Sequence, residues 1–291
     1  MCCLKPWTKT NNMYAERLTS YTHKVTFRLD KQHRRSFFLL SDLHWDNPHC
    51  DRELLKKHLD AAVKRDAGVF IFGDLFCAMQ GKYDPRGNKE GIRPEHNVAN
   101  YLDAIIDDCA AFFQPYRKHL LMVTPGNHET SILKRAETDL IGRFASAVGC
   151  QAGAYAGWVI LRSERNTKKY LNTLLSYHHG YGGGGPVTKD VIQASRKAVY
   201  LPDADIVVSG HTHDRNIFPI QRTHLNQNNG KQTLREQLHI KLGTYKDEYT
   251  AGSGWAIERG MPPKSLGGVA ITIHRAKGHT FERNDVYAEL L

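Results

Sequence analysis

No stretch of this chain approaches eighteen consecutive apolar residues, which argues against a membrane-spanning helix. The opening segment, Met-Cys-Cys-Leu-Lys-Pro-Trp, also lacks the apolar run of roughly 7–15 residues that a secretory signal needs. The protein is therefore expected in the cytoplasm. Cysteine is sparse: Cys2, Cys3, Cys50, Cys77, Cys109 and Cys150 contain no Cys-x-x-Cys pair. That spacing excludes a zinc-finger-type nucleic-acid binder and gives no disulfide framework. Free thiols are the expectation, with acylation or metal binding at Cys2 and Cys3 as the alternative. Internal repeats are absent, and no Pro/Gly-rich stretch separates two composition blocks.

Acidic residues are in deficit, thirty Asp and Glu against forty Lys and Arg, for a net charge of +10. The imbalance is concentrated near the start. Lys5, Lys9, Arg17, Lys24, Arg28, Lys31, Arg34 and Arg35 face only Glu16 and Asp30 before residue 42. A basic surface favours polyanions such as nucleotides or nucleic acid, and otherwise serves solubility. On the first reading, Arg34 and Arg35 should lie near a phosphate-binding cleft.

What is present is ordinary for a globular protein: 41% hydrophobic and 24% charged residues in 291. Short β-branched or aromatic runs predict strands at 25–29, 37–40, 69–72, 120–124, 158–161, 171–177, 206–208, 239–242 and 269–273. Helical periodicity falls at 51–64, 97–113, 130–148 and 187–199, with Asp51 as an N-cap and Leu54, Leu55, His58, Leu59, Ala62 and Val63 on one face. Alternating strands and helices in the first half imply βαβ units and a largely parallel inner sheet. The second half is richer in hairpins, with polar tips at 162–169 and 222–237. Residues 1–291 are expected to form a single domain, with 1–35 a basic extension or edge strand.

Five motifs each follow a predicted strand: Ser41-Asp42-Leu43-His44, Gly73-Asp74, Gly126-Asn127-His128-Glu129, His178-His179-Gly180 and Gly210-His211-Thr212-His213. Sites in open α/β folds form outside the carboxyl ends of strands. Asp-x-His and His-x-His place two ligand-type side chains on the same side of extended chain, and the glycines permit sharp turns beside a crowded centre. His178 and His179 must face opposite ways, so only one of them enters the site readily. His179 is the expected one.

The series Asp-x-His, Gly-Asp, Gly-Asn-His-Glu, His-Gly, Gly-His-x-His resembles the signature of the calcineurin-like metallophosphoesterases over residues 41 to 213. The resemblance implies a four-layer α/β/β/α sandwich with mixed sheets and a dinuclear metal site at the strand C-terminal edge. Asp42, His44 and His213 would then hold one metal and Asn127, His179 and His211 the other, with Asp74 bridging them. His128 would be the general acid beside a hydroxide that bridges the metals. The implied cofactors are two divalent transition metals, manganese first, with iron, zinc or nickel also suited to these ligands. The implied substrate is a phosphate ester, more specifically a phosphodiester of a nucleotide or nucleic acid. A phosphomonoesterase, including a protein phosphatase, and an inactive scaffold are the alternatives. The loss of ligands that a scaffold would show is not seen.

Two departures from the family pattern stand out. Many relatives carry a second Asp where this chain has Cys77. The protein-phosphatase run Gly-Asp-x-Val-Asp-Arg-Gly is also absent, and Gly73-Asp74-Leu75-Phe76 is closer to the DNA-repair exonuclease branch. Further along, the glycines at 182–185 read as a lid or a phosphate-contacting turn, or else as a plain connection. Tyr245, Lys246 and Trp255 are candidates for contact with a base or phosphate.

Overall fold

In the computed structural model, residues 12–79, 91–166, 169–183, 187–188, 190–225, 227–250, 252, 255–275 and 284–291 are described. Cys2, Cys3, Lys5, Lys9, Gly184, Gly185 and the Trp255 side chain lie outside them. Two mixed sheets pack face to face. The first contains β3 (Arg34–Leu40), β4 (Gly68–Phe72), β5 (Leu120–Thr124), β6 (Gln151–Ala152), β12 (Val269–Arg275) and β13 (Asn284–Leu290), in the order β13-β12-β3-β4-β5-β6. Its β3 to β6 are parallel, as the alternating strands and helices predict, and β12 and β13 add an antiparallel edge.

The second sheet runs β1-β2-β7-β8-β9-β11-β10. Its strands are β1 (Met13–Arg17), β2 (Thr22–Arg28), β7 (Ala156–Asn166), β8 (Lys169–His178), β9 (Ile206–Ser209), β10 (Asn216–Leu225) and β11 (Gln232–Lys241). Between the sheets, Phe37, Leu39, Phe70, Phe72 and Ile271 meet Val25, Phe27, Val159, Leu161, Leu175, Tyr177 and Val208 in an apolar layer. Phe38, Leu40, Val69, Ile71 and Val123 alternate with these residues and face outward. There they bury the apolar sides of α1 (Arg52–Lys64), α2 (Tyr101–Phe113) and α4 (Leu140–Val148). On the far face of the second sheet lies α5 (Val191–Tyr200), which completes an α/β/β/α order. Among the described residues no helix is long and apolar enough to cross a membrane.

Asp51 caps α1 as expected, accepting from the Leu54 N–H at 2.8 Å. Val63, placed on the buried face from periodicity, is 42% exposed at the end of the helix. The helix expected over 130–148 is two helices, α3 (Asn127–Ala136) and α4. Glu137 turns left-handed at φ 52 and its N–H returns to the Leu133 carbonyl, and Asp139 then caps α4 through the Gly142 N–H. The polar tip expected at 222–237 is mostly strand, since β10 and β11 pair from Asn216↔Lys241 to Leu225↔Gln232. Solvent wets both faces of its outer half, so the hydrophobic alternation that marks a strand is missing there.

The segment read as an extension contributes β1 and β2, with β2 parallel to β7. Arg34 and Arg35 stand at the N-terminal end of β3, whereas Asp42 follows its C-terminal end. About 3.3 Å per residue separates them by roughly 20 Å along the strand. Arg35 is buried there, against Asp66 and the Arg28 carbonyl. Neither arginine is placed to receive phosphate at the strand C-terminal edge.

Candidate metal centre

The five motifs leave β3, β4, β5, β8 and β9 at their C-terminal ends, and there the loops bind one another through backbone hydrogen bonds. The Asp42 and His44 N–H groups donate to the carbonyls of Gly73 and Asp74, at 3.0 and 3.1 Å. The Gly210 N–H reaches the His179 carbonyl at 2.8 Å, and Tyr245 N–H and Thr244 Oγ1 both donate to the Asp42 carbonyl. This scaffold holds a rare backbone state. Asp42, His44, Asp74, His211 and His213 all have φ between 49° and 74°, where non-glycine residues are uncommon. Gly126 is required by close approach, because a Cβ there would lie 2.0 Å from Asp74 Oδ1. At Gly73, with φ 92, a Cβ would lie 2.2 Å from His179 Nδ1.

Two groups of ligand-type side chains result, Asp42 with His44 and His213, and Asp74 with His179 and His211. In the first, His213 Nε2 is 3.3 Å from Asp42 Oδ1 and 3.4 Å from His44 Nε2. In the second, His179 Nε2 is 3.1 Å from Asp74 Oδ2 and 3.2 Å from Asn127 Oδ1, and His211 Nδ1 is 2.8 Å from that same amide oxygen. The His179 Nδ1–H donates to the Phe72 carbonyl at 3.0 Å, which fixes the ring and leaves Nε2 facing the group. The His128 Nδ1–H donates likewise to the Cys77 carbonyl at 2.6 Å, so its Nε2 looks toward Asp74 Oδ2, 3.9 Å away. All the sequence-predicted site residues therefore converge. His178 faces the other way, as alternation requires, and its Nδ1 accepts the Gly180 N–H.

The donor set fits divalent cations. Among the described residues, Asp42 Oδ1 and His44 Nδ1 are buried without a hydrogen bond, while Asp42 Oδ2 accepts from Ser41 Oγ at 2.6 Å and the His211 N–H at 3.0 Å. The facing nitrogens of His44 and His213 repel unless a proton or a cation lies between them. Burial alone would raise the carboxyls of Asp42 and Asp74, but His179 and neighbouring histidines outweigh it and hold both below the usual carboxylate range. Burial alone would lower His179, yet Asp74 and then Asp42 raise it above the ordinary imidazole value. Carboxylate, imidazole and amide oxygen together suit first-row divalent metals.

Four supporting residues have no role assigned from the sequence. Glu129, 2% exposed, accepts from the N–H groups of Phe76 and Gly126 at 2.8 and 2.7 Å, which clamps the β4 and β5 loops together. Its place three residues into α3 is the capping-box signal that could have revealed it. Burial and then Asp74 raise its carboxyl. Asp46 supplies a carboxylate to the loop where Cys77 replaces the expected Asp, accepting from the Cys77 and Ala78 N–H groups at 2.6 and 2.9 Å. Ser41 and Thr244 complete the set. Burial pushes the Cys77 thiol up to about 12.

One of the expected substrate contacts lies elsewhere. Tyr245 is wholly buried, with its hydroxyl 2.8 Å from His58 Nδ1. Leu75 and Phe76, which follow Asp74 in the stretch that resembles the exonuclease branch, belong to the helix-side core. Glu95, His96 and Asp108 form another acidic group, but Arg52 already occupies it as the cation.

Residues 35–215, well over half of the chain, match the calcineurin-like phosphoesterase family. The chain belongs to that family. Solved structures similar to this phosphoesterase include a predicted phosphoesterase from Streptococcus pneumoniae, with 13% identity, coverage of 88% of this chain and 98% of that one, and a TM-score of 0.31. Vps29 from Entamoeba histolytica, complexed with zinc, has 9% identity, 87% and 98% coverage, and a TM-score of 0.36. GAP50, described as the anchor in the inner membrane complex of Plasmodium, has 12% identity, 89% and 88% coverage, and a TM-score of 0.40. No curated protein matches this phosphoesterase.

Metal uptake should be pH-dependent. A cation at His179 must displace the proton that Asp74 and Asp42 hold there, so uptake releases protons and affinity falls as pH drops. Titration of metal-free protein with Mn²⁺ or Zn²⁺ in several buffers checks this. The expected result is weaker binding at lower pH, with proton release in the heat of binding.

Proposed function

We propose that this phosphoesterase hydrolyses phosphodiesters of nucleotides or nucleic acid with two divalent transition-metal ions. The observation that carries the reading is the pair of adjoining donor groups with His128 Nε2 directed at Asp74. Asp42, His44 and His213 would hold one ion and Asn127, His179 and His211 the other, with Asp74 shared. Manganese is the first candidate, and iron, zinc or nickel would suit the same donors. Bound there, the ions would supply positive charge for the phosphoryl oxygens and lower the pKa of water.

The chain's own residues do the rest. Asp74 and Asn127 place ligand oxygens at the junction of the two groups, and the Asp74 carboxylate is itself fixed by the His128 N–H at 3.1 Å. His128, anchored through Nδ1, presents Nε2 toward the junction beside Asp74. Protonated, it gives that proton to the departing alkoxide. The reading treats residues 1–291 as one catalytic domain, since β1 and β2 extend one sheet and β12 and β13 the other.

Charge favours the diester over the monoester. Two divalent ions and two carboxylates leave a modest positive centre, and the lysines acting on its histidines are already engaged. Lys246 pairs with Glu248 at 2.5 Å and Lys241 with Asp190 at 2.7 Å. A diester monoanion asks for less cationic charge than a monoester dianion.

Three outcomes are expected. In Asp74→Ala both metals are lost, whereas Asp42→Ala retains one, as elemental analysis would read. Two ions per chain in Asp74→Ala would remove the bridging role. His128→Ala keeps its metals but loses roughly 10²–10⁴-fold in turnover on alkyl esters, and much less on a nitrophenyl ester whose leaving group needs little protonation. Finally, kcat/KM should be higher for bis-nitrophenyl phosphate than for nitrophenyl phosphate. The reverse order would favour a phosphomonoesterase.

A further inference from the structure

Behind the β8 and β9 loops, on the outer face of the seven-stranded sheet, α5 covers a cavity of about 30 Å³. Lys197, Lys241, His239 and Asp190 line it, with Tyr181 and Phe218 as aromatic walls. The charges there do not balance. Lys241 takes Asp190, which also accepts from Thr212 Oγ1 at 3.2 Å. The ammonium of Lys197, from the last turn of α5, has no ion pair or hydrogen bond among the described residues. Burial, and then Lys241, lowers its amine to about 8. The nearby His239 adds no charge, since burial first and Lys197 next bring it down to about 4. A partly buried ammonium beside a second lysine, with one carboxylate between them, leaves a positive charge for a ligand to neutralise.

The cavity adjoins the catalytic groups. Gly180 lines it and directly follows His179, and a Cβ on Gly180 would stand 2.7 Å from the Cβ of His211. Thr212, bonded to Asp190, lies between His211 and His213. The volume is room for two or three water-sized atoms, enough for the terminal oxygens of an oxyanion but not for a sugar or a base. Tyr181, 59% exposed at the rim, offers a ring on which a base outside can stack.

We propose that this cavity is an oxyanion subsite in which Lys197 binds a second phosphate group of the substrate, next to the phosphate held at the catalytic centre. The proposal rests on the diester reading and makes it narrower. The preferred diester carries another phosphate, as a 5′-phosphorylated dinucleotide or an oligonucleotide does and a bare dinucleoside phosphate does not. Free phosphate shares the chemistry, so the test has two arms.

In the kinetic arm, the metal-loaded protein is assayed on a dinucleotide with and without a terminal phosphate. Wild type should prefer the phosphorylated form, and Lys197→Met should lower the ratio of the two kcat/KM values by about tenfold, the worth of one charge-assisted contact. Lys197→Arg should keep most of the preference. An unchanged ratio in Lys197→Met overturns the subsite. In the second arm, wild-type protein is acetylated with and without inorganic phosphate and mapped by mass spectrometry. Phosphate should slow acetylation at Lys197 relative to the exposed Lys118. Equal slowing at both residues overturns the proposal, even if the variant fails to fold. If neither dinucleotide is cleaved yet Lys197 is still protected, the diester reading fails while the anion site stands.

Discussion

Two carboxylates buried beyond the reach of solvent are the constraint that organises this protein. An ionised carboxylate in a protein interior costs several kcal/mol unless charges and donors surround it. Asp42 and Asp74 are 0% and 2% exposed, and the surrounding structure can be understood as compensation for that cost. Asp42 takes the Ser41 hydroxyl and the His211 N–H on one oxygen and faces His213 with the other. Asp74 takes the first-turn N–H of α3 on one oxygen and faces His179 with the other. Each carboxylate thus keeps one oxygen for structure and one turned toward imidazole. This is the division expected of ligands that must be rigid before a cation arrives.

Rigidity has its own cost, visible in the backbone. Five of the seven proposed ligands sit at positive φ, a state worth on the order of 1–3 kcal/mol of strain for each residue that is not glycine. Such a set persists only where the surroundings over-determine it. The strand ends are anchored by the Phe-rich layer between the sheets, and the loops are cross-bonded by Gly73, Asp74 and His179 carbonyls. Glu129 adds a side-chain clamp across two loops at once. Strain, packing and charge are therefore coupled. Loosening the β4–β5 junction would relax the backbone, but it would also part Asp74 from the N–H that holds it.

The sequence carried the parts of this design that depend on local pattern. Apolar runs ending in Gly-Asp or Gly-Asn-His located the strand ends, and the His178-His179 alternation separated the inward from the outward ring. Features that depend on tertiary pairing stayed hidden. Glu137 carries no residue signal for its left-handed turn, so α3 and α4 read as one helix. The outer half of β10 and β11 is solvated on both faces and looked like a loop. The N-terminal basic residues suggested a phosphate-binding surface because their charge was counted without regard to the strand at 37–40, which separates Arg34 and Arg35 from Asp42. β3 carries Arg34 and Arg35 to the opposite end from Asp42. Asp46 escaped notice for a similar reason, since its partners at Cys77 and Ala78 are about thirty residues away in the chain.

The outer sheet face shows how one strand can serve two chemistries. At the end of β8, His179 turns inward to join the candidate ligands, while His178 turns outward beneath α5 and is kept neutral by burial and the lysines there. The next loop repeats the division, with His211 and His213 directed at the centre and Thr212 between them bonded to Asp190. Asp190 also holds Lys241, so a change in the charge under α5 reaches the His211-Thr212-His213 loop through a single carboxylate. Neutralising Lys197 with an anion would lessen the competition between two ammonium groups for Asp190, leaving that carboxylate to Lys241 and Thr212. The ligand loop would then be held most firmly when the cavity is filled. Substrate recognition and the geometry of the metal centre would share the same hydrogen bond.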